Sequence, residues 1–164
     1  MRPLLNRSAA LAFLLLLSAC QAAIVEPAGW RAIDGDTLAH GPERWRLHGI
    51  DAPERRQTCQ DSAGQLWPCG EAARARLAQL IDGRAIACQP TGHDRYGRAV
   101  GRCWASQPDG SRIDLSAALA REGLALAYSR YSRDYEPAQA EAQAAGRGIW
   151  GGKFQIPGEF RAKQ

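Results

Sequence analysis

"RWRLHGIDAPE", residues 44–54, decides how this chain folds. Its first half reads as a strand, and Pro53 near its end cannot donate to a ladder and stops further pairing. Two carboxylates, Asp51 and Glu54, therefore stand together where the strand stops, just ahead of Arg55 and Arg56. Carboxylates gathered in one place repel one another and need a cation or a raised pKa to coexist. The neighbouring segments say which.

Upstream, "WRAI" (30–33) and "TLAH" (37–40) flank "DGD" (34–36), and "GPE" (41–43) leads into the quoted stretch. Together they predict a three-stranded meander with turns at Gly35 and at Gly41 and Pro42. Downstream, Ala73, Leu77, Leu80 and Ile81 recur at helical spacing over residues 71–81, and Gly83 supplies a stop. "RAIACQ" (84–89) and "RAVGRCW" (98–104) bracket the turn-rich "PTGHDRYG" and predict a second hairpin. "DLSAALAREG" (114–123), with Asp114 as N-cap, and "PAQAEAQAAGRG" (137–148), with Pro137 in its first turn, predict two closing helices. The order is β-β-β-α-β-β-α-α, and 164 residues suit one domain.

The first nineteen residues, "MRPLLNRSAALAFLLLLSA", place Arg2 and Arg7 ahead of an apolar run, the pattern of a signal peptide. The run is shorter than the ~20 apolar residues of a spanning helix. "LSAC" resembles the bacterial lipobox, which implies lipidation of Cys20 and residues 20–29 as a lipid-anchored tether. Ordinary cleavage nearby, giving a secreted soluble protein, is the alternative. Both lead out of the cytoplasm, to the periplasm or the cell surface. Setting Cys20 aside leaves Cys59, Cys69, Cys88 and Cys103, an even number that suits an exported chain and allows three pairings. The pairing favoured is Cys59 with Cys69 and Cys88 with Cys103, since each pair brackets a turn-rich stretch. No Cys-x-x-Cys spacing supports a zinc site. Without Arg2 and Arg7 the mature chain has 19 basic against 17 acidic residues, so net charge excludes little.

Four acids lie along the meander: Asp34, Asp36, Asp51 and Glu54. Oxygen donors without a histidine or cysteine companion suit a hard divalent cation. Taken singly, "IDGDT" is an ordinary Asp-Gly turn and "DAPE" an ordinary strand end.

Their order changes the reading. "AIDGDT", "WRLHGIDAPE", a helix, "DRYGRAVGRC", "REGLALAY" and a final helix ending "GIW" follow one another from about Trp30 to Trp150. This pattern resembles the staphylococcal nuclease-like, or thermonuclease, family. The resemblance implies an α+β fold with a five-stranded OB-like β-barrel and three helices. It implies a nuclease domain over residues 30–152, followed by a C-terminal tail over 153–164. The implied activity is calcium-dependent hydrolysis of DNA and RNA, in single-stranded or frayed regions, to 3′-phosphate ends by a monomer. Residue by residue, Asp36 and Asp51 match the calcium-binding carboxylates, the Ala52 carbonyl a further ligand, and Asp34 an acid just outside them. Glu54 matches the proposed general base, and Arg46 and Arg98 the two arginines that grip the scissile phosphate. Tyr96 matches a tyrosine near the substrate; a later tyrosine pair of the family becomes "YSRY", so Tyr128 is carried as a substrate contact with altered spacing to Tyr131. A rival from another class is a noncatalytic OB-fold module that binds nucleic acid or protein at the cell surface. Loss of the acids would mark it, and the acids are intact.

Overall fold

The computed structural model describes residues 29–163; the expected signal peptide, Cys20 and nearly all of the tether lie outside the described residues, as does Gln164. Strands β1 (Arg31–Ala32), β2 (Thr37–His40) and β3 (Glu43–Leu47) form the anticipated antiparallel meander. Strands β4 (Ile50–Asp51), β5 (Cys59–Gln60) and β6 (Leu66–Trp67) follow, then helix α1 (Cys69–Ile81). β7 (Ile86–His93) and β8 (Ala99–Ser106) make the second hairpin, and β9 (Arg112–Asp114) leads into α2 (Leu115–Arg121). β10 (Leu126–Ala127), α3 (Glu136–Ala144), a 3-10 turn (Gly148–Gly151) and α4 (Pro157–Arg161) complete the chain.

The main sheet runs β1-β2-β3-β8-β7, with β9 also on β8, and it curls into a half-barrel of the OB-like, α+β kind. The five anticipated strands are the five on this path. β3 and β8 are parallel, with Trp45 opposite Ala99 and Leu47 opposite Gly101. β8 alternates cleanly, burying Gly101, Cys103 and Ala105 while the residues between are partly exposed. Both favoured disulfides form, Cys59 with Cys69 and Cys88 with Cys103. The second joins residues directly opposite across β7 and β8.

Helix α1 turns Ala73, Leu77, Leu80 and Ile81 inward, the face its spacing predicts. Asp114 caps α2 by accepting the Ala117 N–H at 3.0 Å. These helices cover a core of Leu38, Leu47, Ile50, Leu77, Leu115 and Leu119, all at most 1% exposed. A satellite cluster gathers Cys59, Cys69 and Ile149 with Trp67, Trp150 and Phe154. Two differences from the sequence reading stand out. Among the described residues there are four α-helices rather than three, and the fourth falls in the segment read as a tail.

Candidate active site

The sheet register itself brings the acids to one arginine. Thr37 pairs with Arg46 across β2 and β3. Asp36, one residue before β2, therefore meets the Arg46 guanidinium, whose Nη1 donates to Asp36 Oδ1. The Nη2 donates to Asp51 Oδ1 at 2.8 Å and to the Ile50 carbonyl at 3.3 Å. β4 carries Asp51 and is held by β10, where Leu126 faces it. The second Asp36 oxygen accepts the Ala52 N–H at 2.8 Å. Asp34 closes the turn by accepting the Asp36 N–H at 3.0 Å, the local bond that makes aspartate a turn residue.

Asp36 and Asp51 are 2% and 5% exposed. Burial pushes the Asp36 carboxyl up to about 7, with Arg46 pulling it down and Asp34 pushing it up again. Arg46 thus offsets only part of the cost of burying Asp36. The oxygens around this cluster are carboxylate, carbonyl and, from Thr37, hydroxyl, the chemistry that suits a hard divalent cation such as calcium. Among the described residues, no three Asp, Glu, His or Cys side chains converge as a ready-made metal cage. A cation there would draw on the carboxylates of Asp36 and Asp51, backbone carbonyl oxygen and water, a set that calcium accepts.

Glu54 stands above this buried pair, its side chain 33% exposed. Its main chain is fixed on both sides. The Glu54 N–H donates to Gln57 Oε1 at 3.1 Å, and the Glu54 carbonyl accepts the Gln57 N–H at 2.7 Å. Gly70 in α1 packs against the same carbonyl so closely that a Cβ would lie 1.7 Å from it, so no other residue fits there.

Arg98 reaches the site from the β7–β8 turn. Its Nε donates to Asp94 Oδ2 at 2.6 Å, and its Nη1 lies 3.4 Å from the Thr37 hydroxyl. Tyr96 is 68% exposed, with the Arg95 and Arg98 guanidiniums 4.8 and 5.7 Å from its ring centre. Asp34, Arg46, Glu54, Tyr96, Arg98 and Tyr128 line one cleft of about 810 Å³, with Asp36, Asp51 and Ala52 beneath it. Every anticipated site residue from Asp34 to Tyr128 is therefore gathered here. Tyr128 packs edge-on to Tyr131, ring centres 5.0 Å apart. Trp67 packs beside the Cys59–Cys69 disulfide.

The family model of staphylococcal nuclease homologues matches residues 44–152. The chain belongs to this family. Over 120 residues it is 40% identical to the succinoglycan biosynthesis protein ExoI of Rhizobium meliloti (strain 1021), covering 72% of this chain and 61% of that protein. Over 160 residues it is 36% identical to the protein ParB of Escherichia coli, covering 90% and 84%. It is also 30% identical over 133 residues to an uncharacterized endonuclease of Escherichia coli O157:H7, covering 77% and 78%.

Among the cleft residues that escaped the sequence reading are Asp94, Arg95, Arg130 and Arg161. Arg161 donates to both oxygens of Asp51 at 3.1 Å and to Glu54 Oε1 at 2.6 Å. It lies nine residues beyond the end of the family match. In a chain rich in arginine, no local pattern distinguishes it.

Proposed function

We propose that this protein is an exported, calcium-dependent nuclease that hydrolyses phosphodiester bonds of single-stranded or frayed DNA and of RNA, leaving 3′-phosphate ends. The export signal and the "LSAC" motif support a lipoprotein anchored through Cys20, with its catalytic domain in the periplasm or at the cell surface. The observation that carries the nuclease reading is the gathering of Arg46, Glu54 and Arg98 at one cleft over the buried pair Asp36 and Asp51. Membership of the nuclease family supports it from another side.

The reaction follows from what these side chains do. Glu54, within the cleft and partly open to solvent, takes a proton from a water molecule. The water oxygen forms a new bond to phosphorus as the bond from phosphorus to the 5′-oxygen breaks, and the departing oxygen takes a proton from solvent. The phosphate stays on the 3′ side and the other fragment ends in a 5′-hydroxyl. Negative charge grows on the nonbridging oxygens during attack, and fixed cations aimed at them lower the barrier more than they bind substrate. Arg46 and Arg98 supply two such cations, held by Asp36 and Asp51 in one case and Asp94 in the other. Calcium bound by Asp36, Asp51 and the Ala52 carbonyl, with Asp34 behind, would supply further positive charge beside the phosphate. Tyr96 and Tyr128 offer aromatic surface for a base, which favours unpaired strands.

The experiment is cleavage of a labelled single strand by protein beginning at Gln21, with calcium, with magnesium and with chelator, beside Glu54→Gln. Calcium-dependent cutting that is lost in the variant supports the proposal. Tight, salt-sensitive binding without cutting would replace it with the noncatalytic module.

A further inference from the structure

We infer that Arg161, carried by α4 beyond the family domain, is a positioning residue that holds Glu54 in its working orientation; this rests on the nuclease reading above. Its guanidinium forks onto Asp51 through both terminal nitrogens and reaches Glu54 Oε1 through Nη1. Among the described residues the Glu54 carboxylate takes no other hydrogen bond. A glutamate with one-third of its side chain open to water has several rotamers to choose from. Asp51 nearby repels it, since like charges resist sharing a site. The bridging guanidinium cancels that repulsion and sets the carboxylate's direction, because charge-assisted forks are strong and geometrically specific.

The segment that delivers Arg161 is tied to the segment that carries Glu54. Gln57 is 1% exposed and spends both ends of its side-chain amide on this link. Its Oε1 accepts the Glu54 N–H, and its Nε2 donates to the Gln155 carbonyl at 2.6 Å. Gln60 and Lys153 exchange two backbone hydrogen bonds at 2.8 and 3.1 Å. Pro157, the first residue of α4, is fully buried. Cys59, beside Gln60, is bonded to Cys69 at the start of α1. The loop leaving Glu54 thus anchors the strand of chain that returns to it 107 residues later.

The test measures steady-state cleavage, calcium affinity by isothermal titration and melting temperature for wild type, Arg161→Gln and Arg161→Lys. Outer partners of a site residue commonly contribute about 10- to 100-fold in activity. The expected result is a fall in kcat of about that size in Arg161→Gln at nearly unchanged KM, with part of the loss recovered in Arg161→Lys. Unchanged kcat overturns the inference. So does unchanged kcat with calcium bound about tenfold more tightly, which would make the arginine only a stand-in charge. A fall in kcat that tracks a fall in melting temperature, without recovery in the lysine variant, also overturns it in favour of a scaffold role. Wild type that does not cut at all refutes the nuclease reading itself, an outcome distinct from the others.

Discussion

The two walls of the cleft are built on opposite plans. On one, Asp36 and Asp51 are buried and Arg46 is half-buried; all three lie on or beside paired strands, and they bond to one another and to backbone. On the other, Tyr96 and Tyr131 are 68% and 70% exposed, and Arg98 is held mainly by Asp94 within its own turn. The first wall costs desolvation and fixes geometry; the second leaves aromatic surface open to whatever enters. Chemistry that depends on sub-ångström placement belongs on rigid elements, while recognition of a variable polymer tolerates adaptable ones. The comparison teaches that position and affinity are separable here, and four measurements bear on it.

The largest effect is expected at Arg46. Arg46→Lys cannot fork onto two carboxylates and a phosphate, and should lower kcat by about 100- to 1,000-fold. Arg46→Ala should also cost up to about 3 kcal/mol in urea unfolding, since buried Asp36 loses its charged partner while Asp51 keeps Arg161. An alanine variant of full stability would break the view of this wall as a charge-matched unit. Next come the disulfides. Replacing Cys59 and Cys69 by serine should cost up to about 3 kcal/mol and lower kcat as well, because that loop adjoins Glu54. The same change at Cys88 and Cys103 should cost stability alone, read as a lower urea midpoint with unchanged kcat.

On the exposed wall, Tyr96→Ala should weaken oligonucleotide binding by about 1–3 kcal/mol with kcat preserved. Fluorescence anisotropy in chelator checks this, and a large kcat loss would erase the distinction between the walls. The smallest effect near neutral pH concerns Tyr135, whose ring packs under Gly49 and whose hydroxyl donates to Asp114 at 3.2 Å. Burial foremost, then Asp114, pushes its phenol up to about 12, against about 10 when unfolded. Its stabilising contribution is complete below pH 10. Between pH 10 and 12 the unfolded chain ionises while the folded one does not, so stability declines as pH rises. Urea midpoints at pH 9 and 11 should show that decline, flattened in Tyr135→Phe.

Much of this was legible because it is local. Asp34 and Asp36 share one turn, and Asp51, Pro53 and Glu54 share one strand end. Asp36 meets Arg46 through a short meander whose register two turns determine. The cysteine pairs announced themselves because each closes a loop of ten or fifteen residues. What escaped was either too short or too distant to leave a periodic signal. β4, β5, β6 and β10 are two residues each, and no alternation is visible at that length. α4 has five residues and no repeating apolar face, so "PGEFR" reads as a tail. Arg161 meets Asp51 across 110 positions, a contact set by the path of the whole chain.

That long path governs when the acid cluster comes into being. β3 finds its parallel partner only after α1 and β7 have been laid down, and Arg161 arrives with the last turn of helix. Pairings between distant segments form slowly, because their loop-closure entropy is spent before any contact is made. A chain cut short before residue 99 lacks the strand on which Arg46 docks. The acid cluster with its two arginines is therefore completed late, at the end of folding.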